Sequence, residues 1–172
     1  MEFNEKILSC KNMVDYDYNV LISNRRVNLL DSPSESDIAK AEEILGRSFP
    51  TLMRRWIADF GSLQISPELR SCPTLLLLGL GPSSTIDDNI VLFKQPDNPS
   101  RPPDYLVFAH EFDGEKDFIY ALRADATIAR VCNYFAFPYF SNKADYAEVK
   151  WDSVFESLDE FWSIKVQQYL NW

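Results

Sequence analysis

The sequence predicts an α+β fold, an antiparallel sheet arranged as a meander with helices packed on one of its faces. Three observations predict it: a helical hairpin over residues 34–63, strand-like apolar runs between residues 75 and 135, and a return to helical spacing after residue 157. Helices, then strands, then a helix is the order typical of a domain whose helices cover one side of an antiparallel sheet. The 172 residues are the length of one ordinary domain.

The helical hairpin has defined ends and one apolar face. Ser34 and Asp37 have the spacing of a capping box. Gly46 suits the left-handed conformation that ends a helix, Pro50 is tolerated in the first turn of the next one, and Gly61 stops it. The apolar residues at helical spacing are Ile38, Ala41, Ile44 and Leu45 in the first helix and Leu52, Met53, Trp56, Ile57 and Phe60 in the second.

The middle of the chain has the short apolar runs that are typical of strands. Residues 86–95 fit either a further strand or a short helix, and residues 96–104 form a proline-rich loop. The polar stretches 113–116 and 125–127 are turns between consecutive antiparallel strands. The predicted strands are residues 75–81, 105–112, 117–124 and 128–135.

The C-terminal segment is predicted to be a helix on the core. Ser157 and Glu160 have the spacing of a second capping box. Trp162, like Trp56 of the hairpin, lies on an apolar stripe and is predicted to be buried. The residues at helical spacing are Phe161, Trp162, Lys165 and Tyr169.

Residues 1–33 are predicted to be an extension that packs on a domain of residues 34–172. Phe3, Ile7 and Leu8 suit one face of a helix, whereas residues 16–23 alternate like a strand, and periodicity leaves both interpretations open.

The charge balance restricts the partners. The chain carries 17 basic and 26 acidic residues, a net charge of −9. Binding to nucleic-acid phosphates or to an anionic membrane needs clustered basic residues, so neither is predicted. A negative protein can associate rapidly with a basic partner, although many acidic domains are acidic only for solubility.

Cysteine usage and the apolar runs predict a cytoplasmic protein. Cys10, Cys72 and Cys132 are scattered without a CxxC pair, so neither a zinc site nor a disulfide framework is predicted. The N-terminus lacks the apolar region of a signal peptide, and the longest apolar run, residues 75–80, is too short to cross a bilayer. No cofactor is predicted.

One histidine limits acid–base chemistry. His110 lies near Glu111 and Asp113, and a histidine–carboxylate pair could serve as a general base. However, no nucleophile lies in a recognisable motif such as GxSxG. We therefore predict a structural histidine and no catalytic residue.

Two groups of residues are candidates for binding a partner. Carboxylates cluster in polar segments and, if these lie at one end of the sheet, would form a negative patch; the alternative is that they are dispersed and merely solvated. The aromatic run over residues 134–140 either anchors an interface or covers the core beneath the C-terminal helix. The candidate partner-binding residues are Asp87, Asp88, Asp113, Glu115, Asp117, Tyr134, Tyr139, Asp145 and Glu148.

The order of motifs resembles the SUKH superfamily (SMI1/KNR4-like), whose usual form is a helix, aE..LG..LP, a helix, nGg, strands with a DG.gd turn, and a closing sf.eFl helix. The corresponding residues here are Ala41-Glu42, Leu45-Gly46, Phe49-Pro50, Asp59-Phe60-Gly61, Asp113-Gly114 with residues 117–122, and residues 157–162. The sequence departs from the pattern at Phe49, at the single Gly61, and at Glu115 and Lys116 in the central turn.

The resemblance implies a SUKH-like fold and binding rather than catalysis. Many bacterial members are immunity proteins that neutralise a toxin, frequently a nuclease, and fungal relatives act as interaction hubs. It therefore implies an immunity protein with a cognate protein toxin as partner. The alternatives are a regulatory adaptor of the same fold and an enzyme that uses His110. The toxin's identity and the oligomeric state are left open.

Overall fold

The described residues form one antiparallel sheet with helices on it. The structure is a computed structural model. It describes residues 21–22, 25–29, 32–66, 74–80, 87, 90, 93, 102, 104–112, 116–132 and 151–170. Among these residues, eight strands make a single sheet in which each strand pairs antiparallel with the next along the chain. The predicted α+β fold and the predicted meander are therefore confirmed.

The helical hairpin precedes six of the strands and a helix follows them, as predicted, but two further strands lie before the hairpin. The strands are β1 (Leu21–Ile22), β2 (Arg25–Leu29), β3 (Leu63–Ser66), β4 (Thr74–Leu77), β5 (Leu106–Phe112), β6 (Asp117–Leu122), β7 (Ile128–Cys132) and β8 (Asp152–Phe155). The helices are α1 (Glu35–Leu45), α2 (Thr51–Phe60) and the C-terminal helix α3, which consists of an α-helical turn (Leu158–Phe161), a π-helical turn (Trp162–Val166) and a final α-helical turn (Gln167–Leu170).

The helical hairpin forms as predicted. The Ser34 hydroxyl accepts a hydrogen bond from the Asp37 amide at 3.2 Å, and the Asp37 carboxylate accepts one from the Ser34 amide at 3.1 Å. These reciprocal bonds satisfy two of the amides that a helix start leaves unpaired. Gly46 ends α1 at φ 69°, in the left-handed region, and Pro50 is the N-cap of α2.

The apolar stripe of the hairpin is narrower than predicted. Ile44 is 42 % exposed, and Leu45 and Leu52 are only half-buried. Trp56 is buried and connects three elements, since its ring packs on Phe108 of β5 and Trp162 of α3. The buried residues of the two helices are Ile38, Ala41, Met53, Trp56, Ile57 and Phe60.

The central strand β6 is buried on both faces. Tyr120 and Leu122 face the helices, and Ile119 and Ala121 on the opposite face are also fully buried. Apolar and polar residues therefore do not alternate along β6 as they would in a strand with one solvent-exposed face. Strands β3 and β8 were not predicted, and β4 ends at Leu77, earlier than expected.

Of the two structures predicted for residues 86–95, a strand or a short helix, the helix is found at the positions that the structure describes. Asp87, Ile90 and Phe93 are helical, and Ile90 and Phe93 are buried in the core. Their spacing of three residues is that of one helix face.

The start of α3 differs from the predicted capping box. The Ser157 hydroxyl accepts a hydrogen bond from the Glu160 amide at 3.1 Å, as expected. The Glu160 carboxylate, however, accepts from the amide of Glu156 at 2.6 Å rather than from that of Ser157. The π-helical turn was not predicted, whereas the burial of Phe161 and Trp162 is confirmed.

Part of the N-terminal extension pairs with the domain. Strand β2 pairs antiparallel with β3 in a register that places Val27 opposite Ile65, and β1 pairs with β2. Because residues 1–20 lie outside the described part of the chain, the division at residue 33 stays a prediction. Nowhere in the described segments does a helix combine the length and the apolar character needed to cross a membrane.

Candidate functional site

Most of the predicted partner-binding residues lie outside the described residues. Asp87 is exposed on a helical segment, and the backbone of Asp117 begins β6, where it pairs with Phe112 of β5. The structure does not describe the others, which are Asp88, Asp113, Glu115, Tyr134, Tyr139, Asp145 and Glu148. The acidic patch and the aromatic anchors therefore stay predictions.

His110 and Glu111 do not form a catalytic pair. They are consecutive residues of β5, and side chains of consecutive strand residues point to opposite faces of the sheet. The Glu111 carboxylate points toward α3, where it contacts Lys165 and Tyr169. His110 is half-buried on the opposite face, in register with Leu76 and Ile119.

The most distinctive polar group in the described core is the Glu111 centre, which we define as Glu111, Tyr120, Lys165 and Tyr169. The Tyr120 hydroxyl donates to Oε2 of Glu111 at 2.5 Å, and the Tyr169 hydroxyl donates to Oε1 at 2.9 Å. The ammonium group of Lys165 lies 2.5 Å from the same Oε1. The side chains of Glu111 and Lys165 are only 6 % and 17 % exposed. Three donors on two elements thus converge on one buried carboxylate.

Local geometry brings these residues together. In the β5–β6 ladder, Tyr120 lies opposite Ala109, two residues before Glu111, so both polar side chains leave the same face of the sheet. Lys165 and Tyr169 are four residues apart on α3, and the Lys165 ammonium lies 5.9 Å from the centre of the Tyr169 ring.

The electrostatics of the centre keep the tyrosine protonated. Burial raises the pKa of Tyr120 above its ordinary value of 10.0, and the negative charge of Glu111 raises it further. The Arg130 guanidinium opposes this increase in the pKa, but the effects of burial and Glu111 are larger. Arg130 itself lies over the Phe118 ring, 4.7 Å from the ring centre. Tyr120 therefore acts as a hydrogen-bond donor to Glu111.

This arrangement suits a structural role for the Glu111 carboxylate rather than a reactive one. Both oxygens of the Glu111 carboxylate already accept hydrogen bonds, and a buried charge is tolerated when it is paired in this way. Within the described segments, no three His, Cys, Asp or Glu side chains come close enough to share a metal ion.

The sequence contains a signal for this centre. Lys165 occupies a position on the apolar stripe of the last helix, four residues after Phe161, and Glu111 lies within the apolar run over residues 105–112. A lysine on a buried helix stripe and a glutamate in a buried strand are expected to form an ion pair, because an unpaired buried charge is very unfavourable.

The comparison with protein families identifies the domain. The model of the SMI1 / KNR4 family (SUKH-1) matches residues 32–163, well over half of the chain. The chain belongs to the SMI1/KNR4 (SUKH-1) family. The match begins just before α1 and ends within α3, and so includes strands β3 to β8. A search of curated proteins found no match.

The SUKH-1 motif residues of the hairpin serve the fold. Oε1 of Glu42 accepts a hydrogen bond from the amide of Phe49 at 2.8 Å, which closes the loop between α1 and α2. Gly46 and Gly61 end the two helices at positive φ, and Phe161 of the closing helix is fully buried. These residues therefore contribute packing and capping to the fold.

A second polar cluster stabilises the far edge of the SUKH-1 sheet. The Arg123 guanidinium, just after β6, donates to the Tyr105 hydroxyl at 2.8 Å and to the Ser153 hydroxyl of β8 at 3.0 Å. The Tyr105 ring packs edge-on against Trp151, with 5.4 Å between ring centres. These contacts hold β8 beside the ends of β5 and β6.

Proposed function

We propose that this SUKH-1 protein is an immunity protein that binds a cognate bacterial toxin and neutralises it by stoichiometric occlusion. The family match over residues 32–163 carries the proposal, because the resemblance implies toxin neutralisation for many bacterial members. Its partner is a protein, and the net charge of −9 favours one with a basic surface, such as a nuclease. Occlusion requires complementary surfaces and no catalytic group.

The proposed contact surface combines acidic and aromatic side chains. Asp87 is exposed, which makes it available to a partner. We propose that Asp113, Glu115 and Tyr139 join it, the carboxylates by taking the place of substrate phosphates and the aromatic ring by filling a pocket on the toxin.

The test is co-expression with a toxin encoded beside the immunity gene. We expect the two proteins to co-purify as a stoichiometric complex and the cells to resume growth. A toxic neighbouring gene whose product is neither bound nor neutralised would contradict the proposal. If the neighbouring product is bound but is not toxic, the adaptor alternative is favoured instead.

Matched variants then test the surface. Asp113→Lys should weaken the complex, whereas Glu43→Lys, an equal charge reversal on the exposed side of α1, should leave it unchanged. Tyr139→Ala should weaken binding more than it lowers the thermal midpoint. A large loss of thermal stability in Tyr139→Ala would instead place that ring in the core.

A further inference from the structure

The C-terminal helix α3 contains one turn that is wider than the rest, over Trp162–Val166. In a continuous α-helix, side chains follow one another at about 100°, so Lys165, seven residues after Leu158, would point within about 20° of it. Leu158 and Phe161 are buried, and the ammonium group would then lie in the middle of an apolar stripe.

The π-helical turn removes this conflict. A single π-helical turn adds one residue to the helix and turns everything beyond it back by about 100°. Lys165 moves to the margin of the stripe, where it is half-buried, and Val166 becomes fully buried in its place. The continuous α-helix and the form with the π-helical turn therefore differ in where they place the charge of Lys165.

The sheet presents the group that distinguishes the two registers. The Glu111 carboxylate projects from β5 at the margin of the stripe, and Lys165 and Tyr169 both reach its Oε1. Tyr169 lies beyond the wide turn. The position of its hydroxyl group at Glu111 therefore depends on the rotation that this turn introduces into the helix. Loss of the turn would rotate Tyr169 away from the carboxylate by about 100°.

We propose that the Glu111–Lys165 ion pair is a register lock, which holds α3 in the form with a π-helical turn and excludes the continuous α-helix. Replacing a buried ion pair by apolar residues of similar size is often neutral for stability, so the pair is not needed to keep the domain folded. Selection of one register among several is the best-supported use of such buried polar groups. The lock also determines which side chains after residue 162 face solvent, including Ile164 and Gln168.

The test is the double variant E111Q/K165M. Gln at position 111 accepts a hydrogen bond from one of the two tyrosine hydroxyls through its amide oxygen and donates one to the other through its amide nitrogen. Both charges are removed, and an apolar side chain is supplied at position 165. We expect a folded protein in which residues 158–170 form a continuous α-helix, seen in a crystal structure or in backbone NOEs. The matched control is S163M, an equal gain of apolar character at an exposed position of α3 that would also point about 140° away from Leu158 in a continuous α-helix, and it should keep the π-helical turn.

A π-helical turn that persists over residues 162–166 in E111Q/K165M would overturn the proposal, because apolar packing alone would then set the register. A second measurement does not depend on the folding of that variant. K165R keeps the charge and should keep the wild-type amide exchange over residues 162–170. K165M leaves the Glu111 charge buried without its partner, and its unfolding equilibrium constant should rise on the order of 100-fold. Wild-type stability and exchange in K165M would also overturn the lock.

Discussion

Gly79, just after β4, lies directly against the carbonyl group of Gly61 at the end of α2. A Cβ atom on Gly79 would lie 1.4 Å from the carbonyl oxygen and 2.5 Å from the carbonyl carbon of Gly61. Both atoms belong to the backbone, so no side chain can move aside. This contact joins the helical hairpin to the sheet and requires a residue without a side chain.

Gly79→Ala should therefore destabilise the domain strongly. The added methyl group forces the two backbone segments apart, and we expect the free energy of unfolding to fall by about 3 kcal/mol or more. Urea unfolding, followed by tryptophan fluorescence, measures this. Gly46→Ala is the control, because a Cβ there meets nothing within 4 Å and only the positive φ opposes it, a cost of about 1 kcal/mol. Equal losses in the two variants would contradict the role of close contact.

Ser34→Ala tests the capping box of α1. The variant loses the acceptor for the Asp37 amide and the partner of the Asp37 carboxylate, and we expect about 1 kcal/mol less stability. Ser48→Ala, at an exposed position in the loop after α1, should change the stability by no more than about 0.5 kcal/mol. Thermal or urea unfolding compares the two, and a loss in Ser48→Ala as large as that in Ser34→Ala would show that the cap contributes nothing specific.

The hairpin could be predicted from the sequence because its information is local. Capping residues, helix-ending glycines and a stripe of apolar side chains all lie within residues 34–63, and each corresponds to a feature of the structure. Strand β6 was also predicted, since the turns around it contain Asp, Gly and Ala at the expected positions. Ala126 adopts φ 68°, as such a tight turn requires.

The remaining elements depend on contacts that are distant in sequence. Strands β3 and β8 are four residues each and become strands by pairing with β4 and β7. The π-helical turn and the Glu111 centre arise where β5 meets a helix more than 45 residues later in the chain. Periodicity depends only on residues that are close in sequence, so it grouped Lys165 with the residues at helical spacing and could not predict its carboxylate partner.

Arg123→Met tests the cluster that holds the edge strand. The variant loses the hydrogen bonds to the Tyr105 and Ser153 hydroxyls, and we expect a loss of about 1 kcal/mol in the free energy of unfolding. The amides of β8 should exchange with solvent faster, while those of β6 should change little. Lys40→Met, on the exposed side of α1, is the control and should alter neither. Unchanged exchange in β8 would show that β7 alone holds this strand.

The raised pKa of Tyr120 makes the domain sensitive to alkaline pH. In the unfolded chain the phenol loses its proton near pH 10.0, whereas in the folded protein burial and the Glu111 charge keep it protonated to a higher pH. The unfolded state therefore binds fewer protons above about pH 10, and stability must fall as the pH rises beyond that value. Below it, this contribution is fully present and independent of pH.

Tyr120→Phe isolates this effect from the titration of lysines, which both proteins share. We expect the wild-type thermal midpoint to fall more steeply than that of the variant between about pH 10 and pH 12, and the two to run parallel at lower pH. The variant leaves one oxygen of Glu111 without its donor, so it should be about 1 kcal/mol less stable near neutral pH. The gap between the proteins should therefore narrow with rising pH. A constant gap across the range would mean that the Tyr120 phenol titrates equally in the folded and unfolded states.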